Sequence, residues 1–308
     1  MKLLLKSVTV LSLASALFPA LSSAQHYNQK NLVSDVFQPP NSDGSPVVLD
    51  PNLKNPWGIT RSSGGPWWIS NNNSGTSTLY SINSSGNAVP ASGFPDPPGS
   101  TFDNFVIVPP PGFTPGASAT PTGIVFNGSP SDFILDKGTP PGNPAVFIFA
   151  TEDGTISGWN PLVNIPAGGN PPSINVVLEV DNSGNGSPNG AVYKGATTAD
   201  IKGIRYLYVT NFRAARVEVY DTNFHRVHFG EDAFEDESGT NFHGAHFRED
   251  AFEDESIPKG FAPFNLTSTV FGVGCFLFYD LGFFSSLRGL TCQALTGCIT
   301  SAGMPSVA

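Results

Sequence analysis

The chain has 308 residues, with 25 acidic against 15 basic side chains for a net charge of −10, 33 glycines, 28 prolines and only 13% charged residues. That balance excludes a long-helix or coiled-coil protein, in which Ala, Glu, Lys, Leu and Arg would dominate. It also leaves no basic footprint for nucleic acid. Hydrophobic residues make up 39%, 24 of them Phe, enough for a packed core.

The first 24 residues read as a signal peptide. Lys2 and Lys6 supply a positive start, Val8 to Leu21 is mostly apolar, and Ser22-Ser23-Ala24 places small residues where cleavage occurs. Ser12, Ser15 and Pro19 interrupt the apolar run, which falls short of the ~20 residues a span needs. The expectation is a secreted, extracellular product with no integral membrane span. Secretion gives meaning to glycosylation sequons, which occur at Asn72, Asn83, Asn127, Asn185 and Asn265. Pro follows the Ser of the sequons at Asn127 and Asn185, which is expected to reduce their use. Cys275, Cys292 and Cys298 all lie in the last 34 residues, so no disulfide framework holds the body.

Three segments share one pattern: PWWISNNNSGTSTLYSI at 66–82, FIFATEDGTISGWN at 147–160 and YLYVTNFRAARVEVYD at 206–221. Each has about five aromatic or β-branched residues, a polar turn, then apolar–polar alternation, which is a hairpin signal. Ahead of each lies a short glycine-bearing strand: NPWGIT at 55–60, PTGIVFN at 121–127 and GAVYKGA at 190–196. Phe105 to Val108 and Ile174 to Val180 supply a further strand to two of the units. Gly58, Gly123 and Gly195 are spaced by 65 and 72 residues. Four-stranded units repeated around a ring are propeller blades, typically about 40–50 residues each, and Pro/Gly-rich insertions account for the excess. Glycine belongs in the inner strand because blades crowd near the axis.

NLVSD, NPWGIT, TSTLY, PTGIVFN, FIFATEDGTISGWN, GAVYKG and NFRAARVEVYD together resemble a functionally uncharacterised family of secreted NHL-repeat-like β-propeller proteins, over roughly 31–269. The resemblance implies a six-bladed type of ring and no established activity. The residues themselves give an all-β, incomplete propeller, with three recognisable blades and part of a fourth beginning at KGFAPFN, 259–265. Asn31 to Phe37 is offered as the outer or closing strand of a last blade.

Two departures follow. TNFHRVHFGEDAFEDES at 222–238 recurs as TNFHGAHFREDAFEDES at 240–256, an 18-residue tandem duplication within the 25–269 propeller domain. It carries His225, His228, His243 and His246, which read either as metal ligands or as a solvated acidic loop copied once. The tail from 270 to 308 is apolar, carries every Cys, and reads as sequence foreign to the family, as a misread splice junction or truncation would produce.

Propeller function gathers at one mouth of the axis. Asn71, Thr151 and Asn211 each end the first strand of their hairpin, and Glu152 and Asp153 follow Thr151. Asn71, Glu152, Asp153 and Asn211 are therefore the candidate metal ligands, for Ca²⁺ with its 6–8 oxygen ligands, against the plainer role of Asn and Asp as turn formers. At fold level the arrangement resembles calcium-dependent lactonases and phosphotriesterases. Trp57, Trp67, Trp68, Trp159 and Tyr80 offer either sugar-stacking faces or packing between blades. The sequence reads as a secreted binding or interaction protein taking a protein or carbohydrate ligand. The alternatives are a Ca²⁺-dependent hydrolase of the lactonase or phosphotriesterase kind and a non-functional truncated product.

Overall fold

The computed structural model describes residues 29–94, 104–112, 117–201, 203–227, 261–269, 272–279 and 290–291. The signal-peptide segment and all of the duplicated stretch beyond Val227 lie outside these residues. The chain divides into two compact units, Met1–Asn31 and Leu32–Ala308, and every sheet belongs to the second.

The second unit is built from strands. A short parallel pair, β1 (Val33–Ser34) with β2 (Val48–Leu49), precedes the first blade. That blade is β3 (Pro56–Arg61), β4 (Trp67–Asn71) and β5 (Thr76–Ile82), with two short strands, β6 (Ala88–Pro90) and β7 (Phe105–Ile107), both paired to β5. The second begins with β8 (Pro121–Phe126). A small hairpin of β9 (Ile134–Leu135) and β10 (Asn143–Pro144) interrupts it before β11 (Phe147–Thr151), β12 (Thr155–Trp159) and β13 (Val177–Asp181) complete it. The third is β14 (Tyr193–Ile201), β15 (Ile204–Asn211), β16 (Arg216–Tyr220) and β17 (Arg226–Val227). The fourth has three strands, β18 (Phe261–Thr269), β19 (Gly272–Tyr279) and β20 (Leu290–Thr291).

The predicted hairpins form where the aromatic and β-branched runs place them. Their turns close on a left-handed residue at one equivalent position: Gly75 (φ 69°), Gly154 (φ 83°) and, in the third blade, Ala215 (φ 52°). Glycine adopts that conformation without the steric cost a Cβ carries.

The inner strands pack successively, β3 along β8, β8 along β14 and β14 along β18, and this makes the array a propeller. Gly58 faces Thr122 and Ile124, Gly123 faces Gly195 and Ala196, and Gly195 faces Phe264 and Asn265. The crowding expected at these glycines is thus real: a Cβ on Gly123 would lie 2.7 Å from the Ala196 backbone nitrogen. Backbone cannot rotate away as a side chain can. Gly123→Ala is accordingly expected to cost about 1–3 kcal/mol, the range of overpacking. Urea unfolding measures it, and an unchanged midpoint would mean that the strands do not abut here.

Both faces of a middle blade are buried. Phe147 and Phe149 join Trp68, Leu79, Val106 and Trp159 between the first two blades, with the Trp68 and Phe147 rings stacked at 4.1 Å. Ile148 on the opposite face joins Ile156, Tyr193, Leu207, Val209 and Tyr220 between the second and third. Tyr208, Val217 and Val219 meet Leu266 of the fourth. Trp68, Trp159 and Tyr80 thus serve as packing, while Trp57 and Trp67 are half-buried.

Three findings refine the sequence reading. The strand at Val33–Ser34 does not complete a last blade. It pairs with β2, and Leu32, Val33 and Val48 pack on Leu53, Ile69, Tyr80 and Ala88 of the first blade's region. The fourth sheet extends beyond the segment recognised in sequence, because residues 272–279 pair antiparallel with 261–269, so a boundary after 269 falls between two strands of one hairpin. The third blade gains β17 from the first residues of the duplicated stretch, paired to Val219 and Tyr220.

Candidate functional site: an aromatic and charged cluster at the inner-strand ends

In each of the first three blades, the residue after the second strand is tied to the residue before the inner strand. Asn72 N–H donates to the Asn55 carbonyl (3.1 Å), Glu152 N–H to Thr120 (2.9 Å) and Phe212 N–H to Val192 (2.8 Å). This repeated bond brings two sets of equivalent positions to one end of the sheets. One set is Asn72, Glu152 and Phe212. The other is the residue just before each inner-strand glycine, Trp57, Thr122 and Lys194, with Phe264 in the matching place beside Asn265.

Most of these side chains converge. Lys194 Nζ forms an ion pair with Glu152 Oε1. The same ammonium lies 4.7 Å from the Trp57 ring centroid and 5.6 Å from those of Phe212 and Phe264. Trp57 and Phe264 stack at 5.4 Å with an interplanar angle of 26°, and Phe212 meets Phe264 edge-on at 6.1 Å. Asn72 Nδ2 donates to Glu152 Oε2 at 2.9 Å. All four blades contribute: Trp57 and Asn72, then Glu152, then Lys194 and Phe212, then Phe264. A cation within about 6 Å of a ring face is attracted by the ring quadrupole, by about 0.5–2 kcal/mol depending on desolvation. The Lys194 side chain is 12% exposed and that of Glu152 29%, so the cluster is shielded and still reachable from solvent. Thr122 stands apart, its hydroxyl bonded to the carbonyls of Ala150 and Tyr193.

Of the residues expected to ligate Ca²⁺, Glu152 belongs to this cluster. Asp153 Oδ2 accepts the Thr120 N–H at 2.7 Å. Asn71 is fully buried, with Nδ2 on Thr76 and Thr78 of its own sheet at 3.2 and 3.0 Å. Asn211 is also buried, and its Nδ2 donates to Glu218 Oε1 at 2.9 Å. Asn71, Thr151 and Asn211 are equivalent, as read from sequence, and each bonds to the third strand of its own blade; for Thr151 the partner is Thr155, at 2.8 Å. Among the described residues no group of three or more His, Cys, Asp or Glu is disposed to hold a metal ion. Of the duplicated histidines only His225 is described, 3.7 Å from Asp221.

The sequence reading did not single out Lys194, Phe212 or Phe264, and considered Trp57 only among the tryptophans. A usable signal existed in the residue preceding each inner-strand glycine, which is Trp, Thr and Lys in turn.

The sequons divide by burial. Asn127 is 1% exposed, and its Nδ2 donates to the carbonyls of Asp132 and Ala145; Asn72 is 5% exposed. Asn83, Asn185 and Asn265 are exposed. No helix among the described residues is long and apolar enough to cross a membrane.

The fold and this cluster define a β-propeller with a cation-centred aromatic site at one end of its inner strands. No family model matches the chain. Over 109 residues, 35% of its length, it is 32% identical to an uncharacterized protein of Acanthamoeba polyphaga mimivirus, a match spanning 17% of that protein. Solved structures similar to it are those of virginiamycin B lyase from Staphylococcus aureus, one a catalytically inactive variant with quinupristin and one substituted with selenomethionine. Both are 12% identical, with TM-scores of 0.38 and 0.39 over 78% of this chain. The chain covers 54% of each lyase chain, about half its length.

Proposed function

We propose that this chain is a secreted β-propeller binding module that takes carbohydrate at the inner-strand ends. The observation that carries the reading is the convergence of Trp57, Phe212 and Phe264 from three blades around Lys194, with Glu152 and Asn72 alongside. The half-buried rings offer apolar surface to the apolar faces of sugars, and Lys194, whose ammonium has three donors and gives one to Glu152, can donate to hydroxyls. A few polar groups among aromatic surfaces are the usual make-up of a small-ligand site. The charged start and small-residue cleavage pattern of residues 1–24 support secretion.

The Ca²⁺-dependent hydrolase reading has less support. Glu152 already spends both oxygens on Lys194 and Asn72, and Asp153 spends one on a backbone N–H. A bound cation would have to displace a lysine held by three rings.

Calorimetric titration with cello-, chito- and galacto-oligosaccharides tests the proposal. At least one class is expected to bind, and Trp57→Ala to weaken it at least tenfold, equivalent to about 1.4 kcal/mol. Absence of binding to every class, or full binding by Trp57→Ala, would overturn it. Thermal melting with Ca²⁺ against EDTA is expected to give no shift. A Ca²⁺ site at 100 Kd would add about 2.7 kcal/mol and would restore the hydrolase reading.

A further inference from the structure

A cleft of about 590 Å³ is lined by β13 and the loop after it and by β16 and β17. Its volume is that of a small-molecule site. At its base Glu218, 3% exposed, stands where the equivalent positions of the other blades hold the hydroxyls of Thr78 and Ser157. The carboxylate is surrounded by donors. Tyr193 and Tyr220 hydroxyls donate to Oε2 at 2.8 and 2.9 Å, and Asn211 and Arg216 to Oε1 at 2.9 and 3.0 Å. Arg226 Nη1 stays 3.7 Å from Oε1, beyond hydrogen-bond reach, so this carboxylate does not use up the guanidinium's donors.

A buried ion pair is weak as a stabilising device, because desolvation offsets its attraction. The buried carboxylate hydrogen-bonds Arg216 and attracts Arg226, and the two guanidinium side chains are 26% and 31% exposed. A guanidinium matches a carboxylate as a planar fork. Asp181 also lines the cleft. Burial raises its carboxyl, but bonds from Ser183 and from the Gly112 and Ser183 N–H groups outweigh this and hold it below its ordinary value. Asp181 and the buried Glu218 thus place two negative charges at the cleft, which disfavours a dianion such as phosphate. Asn182, Asn189 and His225 complete the walls with groups suited to hydroxyls.

We propose that this cleft is a second ligand site, for a small monocarboxylate bearing hydroxyl groups, a sugar acid in class. Arg226 clamps the ligand carboxylate. None of its lining residues belongs to the aromatic cluster.

Calorimetric titration of the full chain with glucuronate, glucose and inorganic phosphate tests this. Glucuronate is expected to bind at least tenfold more tightly than either of the others. Arg226→Gln is expected to remove that advantage. Arg226→Lys, which keeps the charge facing Glu218 and loses the fork, is expected to lose at least tenfold, and it carries the test if the Gln variant fails to fold. Trp57→Ala is expected to bind glucuronate normally, which separates this site from the carbohydrate platform. Equal binding of glucose by Trp57→Ala, equal or tighter binding of phosphate, or undiminished binding by a folded Arg226 variant would overturn the assignment.

Discussion

Glu218→Ala is expected to lower unfolding free energy by about 3–5 kcal/mol, because several buried donors lose their acceptor at about 1–3 kcal/mol each. The substitution leaves Arg216, Asn211 and two phenols facing a site with no acceptor. Asn182 compounds the loss, since its Nδ2 donates to both phenol oxygens at 2.8 Å and belongs to the same network. Burial by itself would raise the Glu218 carboxyl. Hydrogen bonds from Asn211 and Tyr193 and the charge of Arg226 outweigh burial and hold it below its ordinary value. The contribution is therefore present above the unfolded value of 4.5 and is lost as pH falls below it. Urea unfolding at pH 7 provides the check. A loss under 1 kcal/mol would show that water replaces the carboxylate as acceptor.

A second large effect has the opposite pH sign. Glu179 on β13 is 3% exposed; its Oε1 has no hydrogen-bond partner, and Lys137 Nζ stands 4.0 Å from Oε2. Burial, then the hydrogen bond and charge of Asp136, push its carboxyl up to about 8 from 4.5, with Lys137 opposing. Between these values the folded chain binds a proton that the unfolded chain releases. This contribution is full below pH 4.5 and declines as pH rises toward 8. With 1.36 kcal/mol per unit, the loss across the window is up to about 5 kcal/mol. Glu179→Gln supplies a permanently neutral donor and is expected to flatten the stability profile between pH 5 and 8. A profile equally steep in the variant would assign the slope to another group.

These two carboxylates also show where sequence reasoning reached its limit. The period-two alternation around Val217, Glu218 and Val219 located the strand correctly. It carries no information on what covers its polar positions. In a propeller the other face of a blade packs on its neighbour, so Glu218 and Glu179 are as buried as the valines. The hairpins and the inner-strand glycines were legible because each depends on local turn chemistry or on room for one atom. The convergence of Trp57, Lys194, Phe212 and Phe264 depends on four segments spread over more than 200 residues. No local pattern encodes their meeting. Only the equivalence of positions between blades does, and among the candidate ligands that equivalence brought Glu152 alone to the cluster.

The stretch from Ile174 to Asp181 belongs to two blades at once. Its first residues exchange backbone bonds with Ile107 of β7, at 2.7 and 3.1 Å, and the remainder pairs with β12. One uninterrupted ribbon thus clasps neighbouring sheets that side chains alone would otherwise join. Separating them means breaking main-chain bonds as well as a dry interface, so the pair is expected to open as a single cooperative unit, with amide protons on both sides exchanging with solvent at matched rates.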